Sequence, residues 1–403
     1  MRETGVRPIG AVWPEDPSTS AEHAGDDACG FQPSVSGHGW GAVRPQFARM
    51  DGLVPAPGRA NENTGTVPGG GQYPSRPWRS DGGAVRPFGG GLPDVGPRFN
   101  QPVANNGYAW WYVDALSDDG QNAITIIAFI GSVFSPYYAF ARRGGRADPL
   151  NHCAINVVLY RKRGKQWAMT ERPSSAVNRA ANYFNVGPSH VAWDGKALAI
   201  HIDEIAVPIP GRIRGTIRLV PAAITRQAFT LNDNGGHQWW PIAPCSRVQV
   251  MLDRPHLRWQ GDGYFDMNRG DAPLEQGFAN WQWARGTLKG GGAIILYEAL
   301  RRDGSHADLA VTIDAQGQVQ PFEPPPMVEL KRTGWRVGRQ VRSEGGAAVV
   351  RTLEDAPFYA RSLVSAKLLG EPVTLMHESL SLDRFRMPVV QAMLPFRMPR
   401  IWW

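Results

Sequence analysis

The runs YAWWYV at residues 108–113 and AITIIAFI at residues 123–130 are the clearest structural signals in the chain. Asp118-Asp119-Gly120 lies between them and is typical of a turn. Aromatic and β-branched side chains dominate both runs, as they do in β-strands, and similar runs separated by turn signals continue to residues 309–313. The sequence shows no long helical period. It therefore predicts an all-β fold, either a sandwich or a barrel.

The β-type sequence extends over about 300 residues, which is too long for one small barrel. We therefore expect two β domains, at residues 96–245 and 246–403, with the boundary near residues 240–250. The first hundred residues hold 19 glycines and 13 prolines and show no periodicity. Such a segment buries too little apolar surface to offset its ordering entropy, so residues 1–95 are predicted to be a largely disordered tail.

An uncharged stretch at residues 123–141 is long enough to be checked as a membrane span. It begins with β-branched residues and contains Gly131, Ser132, Ser135 and Pro136. We interpret it as a strand, a turn and a second strand rather than a spanning helix.

The formal net charge is +7, and residues 101–403 carry 34 basic against 26 acidic residues. A basic folded region indicates an anionic partner such as lipid headgroups, nucleic acid or an acidic ligand. The basic run at residues 161–165 is short and lies between strand-like runs. We interpret it as a hairpin turn and expect no nucleic-acid partner.

The three cysteines are far apart and odd in number, which argues against a disulfide framework and favours a reducing compartment. The N-terminus lacks the apolar core of a signal peptide. The sequence has no nucleophile elbow, phosphate loop or clustered metal ligands, and its nine histidines are scattered. We therefore predict neither a metal nor a cofactor.

Residues 235–283 are rich in aromatic side chains and hold five of the fifteen tryptophans: Trp239, Trp240, Trp259, Trp281 and Trp283. Residues two apart on a strand share a face. Three such pairs could line one aromatic cavity: His237 with Trp239, Tyr264 with Asp266, and Trp281 with Trp283. Aromatic residues on a strand more often form ordinary core, and periodicity alone does not decide between the two interpretations.

Seven segments together resemble the carotenoid 1,2-hydratase (hydroxyneurosporene synthase) family of the lipocalin-like superfamily. They are residues 107–120, 131–138, 237–241, 264–266, 354–362, 376–380 and 393–400. The resemblance covers most of residues 95–400 and leaves the tail outside. It implies two lipocalin-like β-barrel domains. It also implies an enzyme that adds water, without a cofactor, to the terminal C1–C2 double bond of acyclic carotenoids such as neurosporene or lycopene.

For such a hydratase we predict that Asp266 is the acid, because an aromatic pocket raises a carboxyl pKa and keeps the group protonated. Trp239 is the first choice to stabilise the tertiary cation at C1. His237 is predicted to orient water and accept its proton, and Tyr264 to hold that water or bond Asp266. Substrate-binding roles are predicted for Trp240, Trp281 and Trp283.

The implied substrate dissolves in membranes, so we expect peripheral association with the cytoplasmic side of an intracytoplasmic membrane. The C-terminal run at residues 393–403 mixes arginine with apolar and aromatic groups, and is either an interfacial segment or a packed strand. Three alternatives remain at this point. They are a non-catalytic carrier of an apolar ligand, an isoprenoid cyclase or isomerase, and a structural protein whose tryptophans are all core.

Overall fold

A computed structural model describes residues 96–402 except Arg163, Asp233 and Asn234. The predicted tail at residues 1–95 and the terminal Trp403 lie outside the described residues. All the described residues belong to one compact unit.

The first sheet has twelve strands, with the order β4-β3-β2-β1-β12-β11-β9-β8-β7-β6-β5 and β10 paired to β11. Its strands are β1 (Tyr108–Ser117), β2 (Ala123–Ile130), β3 (Ala154–Tyr160), β4 (Lys165–Met169), β5 (Val177–Arg179), β6 (Tyr183–Val186), β7 (Ser189–Trp193), β8 (Leu198–Ala206), β9 (Gly211–Pro221), β10 (Phe229–Thr230), β11 (His237–Arg254) and β12 (Leu257–Gly270). The sheet is curled so strongly that Trp167 of β4 forms an antiparallel β-bridge with Val207, the residue after β8.

The second sheet has seven strands in the order β16-β15-β14-β13-β21-β20-β19, and β17 and β18 form a separate pair. These strands are β13 (Phe278–Thr287), β14 (Ala293–Arg301), β15 (His306–Ile313), β16 (Val319–Pro321), β17 (Met327–Leu330), β18 (Arg339–Arg342), β19 (Ala348–Asp355), β20 (Tyr359–Leu368) and β21 (Glu371–Ser381). The prediction of an all-β, barrel-like architecture is confirmed.

The α-helices of the described residues are short: α1 (Pro136–Arg142), α2 (Leu274–Gly277), α3 (Leu382–Phe385) and α4 (Pro388–Met393). Three 3-10 turns add Pro149–Asn151, Ser174–Ala176 and Leu394–Phe396. Within the described ranges, no helix combines the length and apolarity needed to cross a bilayer.

The expected strand–turn–strand at residues 123–141 is wrong in its second half, where α1 forms instead. Ser135 caps this helix, since its Oγ accepts a hydrogen bond from the Tyr138 backbone N–H at 3.0 Å. Pro136 occupies the first turn, where its fixed φ favours a helix start. By contrast, β3 and β4 do pair as a hairpin, with Tyr160 opposite Lys165, as expected for the basic run between them.

The strand β1 is buried on both faces, which explains why its sequence is apolar without alternation. Ala109, Trp111 and Val113 point into a core enclosed by the curled first sheet. Tyr108, Trp110 and Tyr112 point the other way, into a second core between the two sheets. We call this second core the inter-sheet core.

The predicted domain boundary at residues 245 and 246 lies inside the continuous strand β11. The chain passes from the first sheet to the second between Gly270 and Phe278, in the segment that holds α2. The two sheets share the inter-sheet core, and the second sheet also packs on a third apolar cluster that includes Ile294, Leu296 and Val364.

A buried ionic network also joins the two sheets. Asp114 on β1 is bonded by Arg361 on β20, with Nη2 2.5 Å from Oδ2, and pairs with Arg285 on β13. Arg361 pairs in addition with Glu378 on β21, and the Tyr112 hydroxyl donates to Glu378 Oε1 at 2.8 Å. Asp114 and Arg361 are both fully buried. Each partner therefore depends on the others for compensation of its charge.

We predict that Asp114→Asn lowers the free energy of unfolding by about 3–5 kcal/mol. The change removes the countercharge of the buried Arg285 guanidinium and one of the two carboxylates that pair with Arg361. Asp118→Asn is the matched control, since Asp118 and its partner Arg247 are about half exposed. That change should cost far less, because solvent screens an exposed ion pair. Urea denaturation of both variants measures the difference, and equal losses would refute the role given to the network.

Candidate active site

Asp266 on β12 lies in the inter-sheet core and is only 3% exposed. The Trp239 indole N–H donates to its Oδ2 at 2.9 Å, and the Tyr264 hydroxyl donates to the same oxygen at 2.7 Å. Tyr264 and Asp266 share a face because they are two residues apart on one strand. Trp239 reaches them from the neighbouring β11, where it pairs with Asn268. The structure thus brings together three of the four predicted catalytic residues.

Burial raises the pKa of Asp266 from its ordinary 3.8 to about 8, against the opposing effect of its two hydrogen bonds. The carboxyl is therefore protonated at neutral pH. Oδ2 accepts both bonds, so Oδ1 is left to carry the proton. Among the described residues, Oδ1 has no hydrogen-bond partner. The site holds a neutral acid whose proton is not committed to a neighbour.

Two aromatic residues of the second sheet complete the surroundings of Asp266. The Trp283 ring lies edge-on to Tyr264 with centroids 5.2 Å apart, and the Tyr297 ring lies 5.4 Å from Trp239. The Trp283 indole N–H and the Tyr297 hydroxyl have no partner within the described part of the chain. The ring faces can stabilise a cation, and the two polar atoms can hold a small polar molecule.

His237 is not brought to Asp266. It pairs with Gly270, four residues along β12 from the carboxyl, which is roughly 13 Å of extended chain. Its Nδ1 lies 2.9 Å from the Tyr108 hydroxyl, and burial lowers its pKa to about 4. A Cβ at Gly270 would lie 2.5 Å from Nδ1, so glycine is needed there for the contact. His237 is a neutral residue at the far end of the same face.

The three tryptophans predicted to bind substrate divide between the two cores. Trp240 pairs with Met267 and points into the core enclosed by the first sheet, where its indole N–H donates to Thr225 Oγ1 at 3.0 Å. It faces away from Asp266 because neighbouring residues of a strand alternate. Trp281 and Trp283 lie in the inter-sheet core.

A cavity of about 440 Å³ opens beside this cluster, between the two sheets. Tyr112, directly opposite Asp266 on β1, lines it together with Ile127 and Asn156 of the same cross-strand row. Its other aromatic lining residues are Trp110, Phe129, Phe134, Tyr160, Trp167, Trp281, Trp335, Phe358, Tyr359 and Phe396. Asp266 lies on β12, next to Tyr112 on β1, and does not itself line the cavity. Tyr112 therefore lies between this mainly apolar cavity and the buried acid.

Glu378 is one of three acidic residues of the second sheet that line the cavity, together with Glu354 and Asp355 of β19. Burial raises the pKa of Glu378, and the Arg361 charge opposes that shift. Sequence reasoning assigned no role to Tyr112, Tyr297 or Glu378. Tyr112 and Glu378 do lie in segments that carried the family resemblance, yet they are 266 residues apart in the chain, and only the fold joins them.

No group of three or more His, Cys, Asp or Glu residues suited to a metal ion occurs in the described ranges. The side chains around Asp266 can donate a proton, stabilise a cation and form hydrogen bonds.

Residues 126–402 match the family model described as Carotenoid hydratase CrtC. The Acyclic carotenoid 1,2-hydratase of Thiocapsa roseopersicina is 52% identical over 404 residues, covering 100% of both chains. The protein of the same name from Rubrivivax gelatinosus is 48% identical, covering 98% of this chain and 97% of its own. That of Rhodobacter capsulatus is 44% identical over 68% of this chain and 97% of its own. The first match includes residues 1–95, which the sequence resemblance left out.

We predict that Asp266 contributes a protonated-carboxyl C=O band to the infrared spectrum at pH 7. The band should be missing in Asp266→Asn and should titrate with a pKa of about 8. Asp118→Asn, at a surface carboxyl, should leave it unchanged. A band that titrates near 4 would contradict the neutral acid.

The same pKa predicts a pH-dependent stability. Because the folded pKa exceeds the unfolded value of 3.8, the stabilising effect of protonation is complete below pH 3.8 and is lost as pH rises through about 8. Asparagine does not titrate. In that window the wild type should therefore lose free energy of unfolding relative to Asp266→Asn, by up to roughly 1.4 kcal/mol per pH unit. Denaturant unfolding at several pH values measures the slope, and parallel curves would contradict it.

Proposed function

The chain belongs to the carotenoid hydratase family and is an enzyme, and from that premise we propose how and on what it acts. The proposed reaction is cofactor-independent addition of water to the terminal C1–C2 double bond of acyclic carotenoids such as neurosporene and lycopene. The product is the 1-hydroxy tertiary alcohol. The observation that carries the proposal is the neutral Asp266 carboxyl, with a partnerless Oδ1, among aromatic rings.

The first step is proton transfer from Asp266 Oδ1 to C2. An isolated alkene is a very weak base, so the donor has to be protonated at working pH and shielded from competing water. The Trp239 and Tyr264 hydrogen bonds to Oδ2 hold the carboxyl in place and stabilise the carboxylate left by the transfer.

The electron pair of the double bond forms the new C2–H bond and leaves a tertiary cation at C1. Trp239 bonds the Asp266 carboxyl through its indole N–H and Trp283 packs edge-on to Tyr264, so both rings lie next to this region. A ring face near a desolvated cation contributes about 2 kcal/mol. The new Asp266 carboxylate adds an opposite charge close by.

Water then adds to C1 and loses a proton, which returns to Asp266 and restores the acid. One carboxyl thus serves as acid and then as base, and the sum is alkene plus water giving alcohol. The Tyr297 hydroxyl, buried near Trp239 and without a described partner, is the residue we assign to hold the water. This replaces His237, which lies too far along the face to take that role.

The substrate reaches Asp266 through the inter-sheet cavity, whose lining is mainly aromatic and apolar. Tyr112 and Trp281 line its inner part and pack near Tyr264 and Tyr297 respectively, so the terminal isoprene unit has to pass these two rings. Because such a polyene resides in a membrane, we further propose that the protein acts at the cytoplasmic side of that membrane as a peripheral protein.

We predict that Asp266→Asn lowers the hydration rate of lycopene by about 10²- to 10⁴-fold, the range for loss of a general acid. Asp118→Asn should keep wild-type activity. In deuterated water the product should gain one non-exchangeable deuterium at C2, as detected by mass spectrometry. Wild-type turnover by Asp266→Asn would overturn the assignment, and a product with no added water would identify a cyclase or isomerase.

We predict that Tyr297→Phe slows hydration by on the order of a hundredfold, because it keeps the ring but loses the hydroxyl that positions water. Thr312→Val, on β15 with its hydroxyl bonded to the exposed Gln320 carbonyl, removes a hydroxyl away from the site as a control. Product formation under single-turnover conditions is the measurement. An unchanged rate in Tyr297→Phe would mean that another group holds the water.

A further inference from the structure

Large apolar side chains are exposed at the mouth of the inter-sheet cavity. Trp335 is 50% exposed, Phe396 76% and Met393 39%, and all three also line the cavity. Val389 and Met387, at the start of α4, are exposed by 59% and 47%. Exposed apolar residues are common singly, but a group of them around one opening indicates an interaction surface. We call these five residues the apolar rim.

The two segments that form the apolar rim are tied to each other. The Arg384 guanidinium on α3 donates through Nη1 to the Trp335 carbonyl at 2.6 Å and to the Pro357 carbonyl at 3.1 Å. The Asp355 carboxylate accepts the Gly334 backbone N–H at 2.6 Å. Arg336 adopts a φ of +60°, which keeps the loop tight. The backbone of Trp335 is thus held in place by hydrogen bonds, while half of the residue is exposed.

A second cavity, of about 300 Å³, adjoins the apolar rim and is lined by Arg332, Arg336 and Arg384. Its other polar lining includes the side chains of Gln282 and Gln340. In the described part of the chain, none of these three guanidinium groups forms an ion pair within 4 Å. Guanidinium groups bind phosphate oxygens in pairs of hydrogen bonds, so this arginine pocket suits a phosphate group.

We infer that the apolar rim and the arginine pocket together dock the protein on an anionic phospholipid bilayer. The rim side chains insert between lipids, while Arg332 and Arg336 bind headgroup phosphates. In that orientation the cavity mouth opens into the lipid rather than into water. A membrane-dissolved polyene could then pass into the cavity without crossing water. This last point rests on the proposed function, but the docking itself does not.

Flotation with vesicles tests the docking without any carotenoid. The wild type should float with vesicles of phosphatidylcholine and phosphatidylglycerol, and only weakly with phosphatidylcholine alone. Arg332→Gln with Arg336→Gln should weaken binding roughly tenfold or more, and so should Trp335→Ser with Phe396→Ser. Leu369→Ser is the apolar control, since this 48% exposed residue follows the opposite end of β20. Arg258→Gln, on the exposed β11–β12 hairpin, is the charge control.

Several outcomes would overturn the inference: no flotation, equal binding to neutral vesicles, or equal losses in the controls. Inorganic phosphate at millimolar concentration separates the two sources of phosphate. If the double arginine variant loses phosphate binding in calorimetry but floats like the wild type, the arginine pocket is a site for the free ion and not for headgroups. Near-ultraviolet circular dichroism verifies that each variant is folded.

Activity assays keep this result separate from the proposed reaction. With lycopene dispersed in detergent, the Arg332→Gln, Arg336→Gln double variant should turn over at the wild-type rate. With lycopene embedded in anionic vesicles, its rate should fall in parallel with binding. Loss of both rates would contradict docking as the role of these arginines. A wild type that floats but does not hydrate would reject the reaction and leave the docking surface intact.

Discussion

The structure depends on a difference in the hydrogen-bond and charge partners of three of its buried carboxyls. Asp114 and Glu378 are paired with guanidinium groups, whereas Asp266 receives only the neutral donors of Trp239 and Tyr264. A buried carboxylate without a countercharge is costly, so Asp266 keeps its proton. The arginines come from the second sheet, while Asp114 and Asp266 belong to the first. The same ion pairs therefore hold the sheets together and leave Asp266 as the neutral carboxyl among the three.

Burial of strands β1, β2 and β3 on both faces makes this arrangement possible. One face of these strands packs into the core that the curled first sheet encloses. The other face carries aromatic residues that pack against the second sheet. In a sheet with one wet face, Asp266 would be solvated and ionised. The proposed general acid needs the opposite environment, and Trp283 and Tyr297 of the second sheet, next to Tyr264 and Trp239, help to supply it.

Short-range patterns were sufficient for the strands and for which residues share a face, since both follow from alternation along one segment. They placed Tyr264 with Asp266 and Trp281 with Trp283, and the family resemblance singled out Asp266 itself. They were insufficient where a residue's position depends on its distance along a strand or on contacts between distant segments. His237 lies four residues too far along its face, Trp240 alternates to the other core, and α1 depends on a capping serine before a proline. Tyr297 and Glu378 could not be assigned, because their neighbours lie on another sheet.

The ionic network also bears on the proposed cation. Two guanidinium groups, Arg285 and Arg361, are matched by the two carboxylates Asp114 and Glu378, so the network does not present a net positive charge to the cavity. Its orientation adds to this effect. The Arg361 side chain is fully buried, whereas that of Glu378 is 14% exposed and lines the cavity. The Glu378 carboxylate, and not the Arg361 guanidinium, therefore faces the inter-sheet cavity. Coulomb attraction is strong where water is excluded, so this orientation favours positive charge at the inner end of the cavity. Arg285 and Arg361 thus stabilise the fold through ion pairs, and their charges are compensated where the proposed cation would form.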